Sequence, residues 1–134
     1  MVRRGIMDDA IRAALRTGQV IDITTTGRKS GLPRRVEIVF HVFDGRIYIS
    51  GMPRADRQRA WLQNLRADPR FTFHLKNGPV VDLAATARVI DDPEERHRIL
   101  PLIARVWRRD PVEMEAHSPL IEVLIDGLGA SRAA

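Results

Sequence analysis

Arg35-Val36-Glu37-Ile38-Val39-Phe40-His41-Val42-Phe43-Asp44-Gly45-Arg46-Ile47-Tyr48-Ile49-Ser50 is the stretch on which the fold of this chain turns. Val36, Ile38, Phe40 and Val42 recur at every second position, with Arg35, Glu37, Val39, His41 and Phe43 between them. That is the period of a strand whose two faces meet different surroundings. Asp44-Gly45 suits the two central positions of a tight hairpin turn, where positive φ is required. Arg46 to Ser50 returns as the partner strand. A central antiparallel hairpin is therefore expected, and the flanking segments must extend its sheet or cover it.

On the N-terminal side, Val20 to Thr26 is rich in β-branched residues and reads as a strand. Ile6 to Thr17 reads as a helix with Ile6, Ala10, Ala13 and Ala14 on one side and Gly18 as its stop, so residues 1–18 form an N-terminal helical segment. On the C-terminal side, Gly51 to Arg57 is a loop and Gln58 to Ala67 a helix with Trp61, Leu62 and Leu65 at helical spacing, ended by Asp68-Pro69. Phe71, Phe73 and Leu75 alternate with Thr72, His74 and Lys76. Asn77-Gly78 marks a second hairpin, and Val80 to Ile90 returns from it. Asp92 is placed to cap a helix over Pro93 to Arg108, with proline at its first position. Leu120 to Ile125 is a last short strand, and residues 127–134 read as a frayed tail.

The element order is α-β-β-β-α-β-β-α-β. The six strands lie too close together for parallel crossovers, so a mainly antiparallel sheet closed into a small barrel is expected, with helices over its ends. This is a mainly β (α+β) fold in a single domain over residues 1–134. Such a length buries about 68% of the unfolded surface, enough for a core without staples. There is no cysteine, which excludes disulfides and thiolate metal sites and agrees with a cytoplasmic location. No apolar run approaches the roughly 18 residues of a membrane span, so no integral membrane segment is expected.

The net charge is +5, and Lys29 and Lys76 are the only lysines; the remaining cations are arginine. Arginine suits bidentate contact with phosphate or carboxylate, so an anionic partner is favoured, either nucleic acid or a small molecule. The most concentrated group lies between the first two strands, Thr26-Gly27-Arg28-Lys29-Ser30-Gly31-Leu32-Pro33-Arg34-Arg35. Two glycines permit close backbone approach, Thr26 and Ser30 supply hydroxyls, and successive amides in such a turn form an anion-binding nest. The order Gly-x-x-x-x-Gly-Lys-Ser is absent, so this is not a P-loop. A solvated hairpin with loose cations is the plainer alternative.

Other chemistry is thinly represented. His41, His74, His97 and His117 show no metal spacing, and no metal site is expected. No Gly-x-Ser-x-Gly elbow and no carboxylate pair stand out, so no catalytic side chain is assigned. Aromatic residues make up 5% of the chain, a poor supply for stacking on bases. Arg54, Arg57, Arg59, Arg66 and Arg70 are available to track phosphates, yet nucleic acid is not the expected partner. Trp61 and Trp107 read first as packing residues.

Thr24-Thr25-Thr26-Gly27-Arg28-Lys29-Ser30-Gly31-Leu32-Pro33-Arg34 resembles the signature of the deazaflavin (coenzyme F420)-dependent nitroreductase and quinone reductase family. Ala60-Trp61-Leu62-Gln63-Asn64-Leu65-Arg66-Ala67-Asp68-Pro69 resembles that family's second hallmark, Trp-x-x-Asn-Leu-x-x-x-Pro. A hairpin separates the two, as in the family. The likeness covers roughly residues 20–90 and continues more loosely to the end. It implies a split β-barrel related to the flavin mononucleotide (FMN)-binding oxidoreductases. It further implies a reductase that passes a hydride from reduced coenzyme F420 to a quinone, a nitro compound or an activated double bond. By resemblance, Arg28, Lys29, Ser30 and Arg34 hold the phosphate or glutamate tail. Ile38, Val39 and Phe40 line the deazaflavin with backbone groups, Ser50 and Gly51 sit near the ring, and Trp61 and Asn64 close the pocket. Arg57, or Arg54, takes a phosphate role from the following loop.

Three departures from the family pattern bear on substrate choice. Gly51 to Arg57 lacks the usual glycine-rich run, Glu37 stands where proline is common, and Trp107 to His117 contains no tyrosine. Alternatives are an FMN-dependent enzyme of the same barrel, or a binding module, either a coenzyme carrier or a basic nucleic-acid binder. A homodimer is compatible with the relatives, and the Val36, Ile38 and Phe40 face suits either an interface or a core.

Overall fold

The structure is a computed structural model and describes residues 8–54 and 59–128. Helix α1 (Asp9–Ala14) is followed by strands β1 (Val20–Thr26), β2 (Pro33–Phe43) and β3 (Arg46–Ser50), then helix α2 (Ala60–Ala67) and strands β4 (Arg70–Leu75) and β5 (Val81–Val89). Helices α3 (Pro93–Trp107) and α4 (Pro111–His117) precede the last strand, β6 (Leu120–Ile125). The six strands close a barrel in the order β1-β2-β3-β6-β5-β4, every pairing antiparallel, with β1 and β4 sealing the ring. The antiparallel barrel expected from the two hairpins is therefore present.

Alternation decides which side chains enter the barrel. Ile21, Ile23, Phe40, Ile47, Ile49, Phe71, Phe73, Leu75, Ile121 and Val123 form one buried cluster, and Phe40 meets Phe73 edge-on with ring centroids 5.2 Å apart. Val36, Ile38 and Val42 pack against the same cluster while staying partly exposed, and Phe40 is fully buried in it. A second cluster forms where α3 and α4 cover the outside of the barrel around Tyr48, Ile103, Met114 and Leu120. Among the described residues no helix is long and apolar enough to cross a membrane, and no cluster of metal-ligating side chains occurs.

The departures from the expected elements have local causes. Asp8 caps α1, accepting from the Ile11 amide at 2.9 Å, and the helix stops at Ala14 rather than Thr17; the expected start at Ile6 lies outside the described residues. Gly18 serves packing: a Cβ there would stand 2.5 Å from the Phe40 carbonyl oxygen. Helix α4 was not anticipated, although Asp110-Pro111 repeats the Asp92-Pro93 signal. Asp110 accepts from the Val112 amide at 2.9 Å, just as Asp92 accepts from Glu95 at 3.2 Å. Glu37 joins Asp22 in binding Lys76, while Arg35 also holds Asp22 at 3.0 Å, so this position carries an ion-pair network on the barrel wall.

Two outcomes test this packing. Gly18→Ala should cost about 1–3 kcal/mol by forcing β2 away from the α1–β1 connection, measured by urea denaturation. His41 is 5% exposed against Phe43 and Trp107, and burial pushes its imidazole down from 6.5 to about 4. The folded value lies below the unfolded one, so stability is fully present above pH 6.5 and falls as the pH drops toward 4. Between pH 6.5 and 5 the loss should reach about 2 kcal/mol. His41→Phe should flatten that slope, and an unchanged slope would refute the assignment.

Candidate functional site

The register Thr26↔Pro33 leaves Gly27 to Leu32 as the connection between β1 and β2. Its backbone folds on itself. The Gly27 amide donates to Leu32 O at 2.8 Å, Gly31 to Gly27 O at 2.8 Å, and Leu32 to Ser30 Oγ at 3.1 Å. Gly27 is buried, and a Cβ there would come within 2.7 Å of Ser30 Oγ; Gly31 has φ +71°, where a side chain is strained. The glycines are thus needed, as the sequence suggested. Of the amides that could form a nest, those of Gly27, Gly31 and Leu32 are engaged within the loop and that of Arg28 is bound by Asn64.

Helix α2 fixes the loop from the side. Asn64, 3% exposed, accepts from the Arg28 amide through Oδ1 at 3.0 Å and donates through Nδ2 to Thr25 Oγ1 at 3.1 Å. Trp61 lies one turn earlier on the same helical face and packs its half-buried ring against the barrel cluster. Trp61 thus packs on the core and also borders the cavity beside the turn. Trp61 and Asn64, with Arg28, Lys29, Ser30 and Arg34, line a cavity of about 460 Å³. Arg28, Lys29 and Arg34 are exposed and form no ion pair among the described residues, whereas Arg35 is bound to Asp22. Three uncompensated cations around a cavity of this size suit an anionic ligand.

The remaining expected site residues lie elsewhere. Ile38 packs on the core; Val39 and Phe40 border a separate cavity of about 220 Å³ beside His41 and Trp107. Their backbones are paired, Val39 with Val20 and Phe40 with Ile49, and the Phe40 amide donates to Gln19 O at 3.0 Å. Ser50 is buried and donates to Pro119 O at 2.6 Å, while Ser118 Oγ donates to Gly51 O at 2.7 Å. Those bonds stitch Ser50 and Gly51 to the rim of a third cavity, of about 520 Å³, between α2, α3 and α4. Arg57 lies outside the described residues. The third cavity escaped sequence reading because its arginines come from distant segments and α4 went unseen.

Asn64→Ala should cost about 1–3 kcal/mol, since it strands the buried Thr25 hydroxyl and frees the Arg28 amide. Thr25→Val should cost less, about 1 kcal/mol, because it removes only one bond of the clamp. Equal stability of wild type and Asn64→Ala in chemical denaturation would contradict this geometry.

The fold is shared with solved structures, among them the three that follow. An F420-H2 dependent reductase, FDR-A, aligns with 21% identity and a TM-score of 0.58 over 92% of this chain and 100% of its own. The Mycobacterium tuberculosis protein Rv2991 aligns with 25% identity and a TM-score of 0.58 over 93% of this chain and 85% of its own. General stress protein 26 from Bacillus anthracis aligns with 15% identity and a TM-score of 0.63 over 88% of each chain. The family model of F420H(2)-dependent quinone reductase matches residues 6–125, a span that includes both hallmark stretches and all six strands. The chain accordingly belongs to the F420H(2)-dependent quinone reductase family and is a coenzyme F420-dependent oxidoreductase.

Proposed function

We propose that the cavity beside the β1–β2 turn holds the phosphate or glutamate tail of coenzyme F420, and that the enzyme reduces a small organic acceptor such as a quinone, a nitro compound or an activated double bond. The observation that carries this reading is the set Arg28, Lys29 and Arg34, three exposed cations with no ion pair among the described residues, gathered on one cavity. Charge complementarity of this kind binds phosphate or carboxylate oxygens through short, charge-assisted hydrogen bonds.

The coenzyme supplies the hydride, so the protein needs to bind and orient rather than to provide an acid or a base of its own. Arg28, Lys29 and Arg34 supply charge, and Ser30 keeps its hydroxyl proton free to donate while its oxygen accepts from Leu32. Asn64 holds the turn at a fixed height above α2, and Trp61 offers a flat apolar wall. Ala60, at the start of α2, lines the cavity, so the positive end of that helix adds to its potential. Orientation of two reacting carbons to about 3–3.5 Å accounts for most of what such a site contributes.

Titrating the protein into oxidised coenzyme F420 should quench or shift the coenzyme's fluorescence in the micromolar range, with FMN tested as competitor. Tighter binding of FMN than of the deazaflavin would transfer the reading to a flavin enzyme. Lys29→Ala and Arg34→Ala should each weaken coenzyme binding roughly 10-fold or more, the worth of one charge-assisted hydrogen bond. Their midpoints of denaturation should stay near wild type. Loss of stability with unchanged binding would mark the turn as structural.

A further inference from the structure

The cavity of about 220 Å³ lies where the last turn of α3 meets one face of β2. Val39, His41 and Phe43 recur at every second position of the strand and so share that face, and Val106 and Trp107 border the cavity from the helix. No residue that lines it is charged, and none lines the turn cavity. Among the described residues, only His41 and Trp107 bring a polar side-chain atom to it.

His41 is the anomaly. It is 5% exposed, and neither ring nitrogen has a hydrogen-bond partner among the described residues. Nε2 is sealed from solvent as well. Buried polar atoms are nearly always paired, because an orphan forfeits its bonds to water and gains nothing in exchange. The neighbours offer rings instead. Phe43 lies parallel to the imidazole, with centroids 6.2 Å apart, and Trp107 meets it edge-on at 4.9 Å. Burial lowers the pKa of His41 to about 4, so the imidazole is neutral at pH 7.

These features define a guest. Aromatic walls favour a planar ring. An ion is rejected, since it would lose its hydration and find no opposite charge. The volume falls below the roughly 300–1,000 Å³ of pockets that hold drug-sized ligands, and it suits a single ring. The unpaired imidazole calls for one polar group, and a hydroxyl satisfies either tautomer because it both donates and accepts. Val106, 60% exposed, gives the rim an apolar edge.

We propose that this cavity is a binding site for a phenol, a neutral single-ring molecule whose hydroxyl pairs with the His41 imidazole while its ring packs against Trp107 and Val106.

The test compares p-cresol with toluene, which lacks only the hydroxyl, each titrated into coenzyme-free protein and followed by ligand-observed NMR. p-Cresol should bind roughly 3- to 10-fold more tightly, the net worth of one hydrogen bond. In His41→Phe, whose ring preserves the packing, the two should bind within about 2-fold of each other. Val106→Trp changes an exposed position, so the fold is kept, and it should weaken both ligands about 10-fold by filling the rim. Equal binding of the two ligands to the wild type overturns the hydroxyl–imidazole pair, as does a p-cresol preference that survives His41→Phe. Tighter binding of 4-methylbenzoate than of p-cresol overturns the uncharged guest. Failure of both ligands to bind, or binding that Val106→Trp leaves unchanged, overturns the site. Saturating coenzyme F420 should leave the affinity for p-cresol within about 2-fold. Displacement of p-cresol by the coenzyme would give the cavity to the coenzyme and overturn a separate phenol site.

Discussion

Everything in this molecule depends on β1 pairing on both of its edges. Val20 to Thr26 bonds β2 along its whole length and β4 through Asp22, Ile23 and Thr24, and this second pairing closes the ring. A closed ring leaves no strand edge, so every strand must alternate between an interior that accepts only apolar groups and an exterior that need not. The interior is filled largely by aromatic and β-branched side chains, and what remains for function lies at the ends and on the wall. The cationic turn is the continuation of the strand that seals the barrel. Its anchorage is therefore as firm as the core itself, with Ile21 and Ile23 fully buried only a few residues upstream.

Side chains that combine anchorage and exposure shape the wall. The β1–β2 loop uses the Gly27, Gly31 and Leu32 amides for internal bonds and donates the Arg28 amide to Asn64, so the loop is held in place without any ligand. Preorganisation of this kind lowers the ordering cost of binding. Ion pairs on the barrel wall work differently. Lys76 between Asp22 and Glu37, and Arg88 between Glu95 and Glu122, compensate carboxylates that would otherwise sit beside the closed sheet. Arginines of that kind are structural. Arg28, Lys29 and Arg34 beside the turn cavity stand apart because they form no ion pair among the described residues.

Much of this was legible in the sequence. The two Gly-containing hairpin turns and the strict alternation of Phe71, Phe73 and Leu75 lead directly to antiparallel strands, because period and turn chemistry are local properties. The cationic turn and the Trp61–Asn64 pair were also legible, as adjacent residues or residues one helical turn apart. Three things were not. The engagement of the loop amides depends on a fold-back that composition does not encode. The pairing of the Val39 and Phe40 backbones depends on register with β1 and β3. The arginine cavity depends on bringing Arg54, Arg66 and Arg96 together across three segments, which only tertiary structure decides. Helix α4 is a different matter, since Asp110-Pro111 carried the same local signal as Asp92-Pro93 and lacked only the long apolar periodicity that follows the latter.

Helix α2 is only eight residues long and is gripped on both flanks, by Thr25 and Arg28 through Asn64 and by Asp91 through Arg66, with Leu65 set in the core between them. It is a party wall. An occupant that draws this helix toward one cavity moves the lining of the other, and the two anchors set how stiffly it yields. Linkage then makes any such effect mutual: the factor by which a guest on one side alters affinity on the other is the same in both directions. A short helix pinned at two points thereby turns two neighbouring basins into a single thermodynamic system.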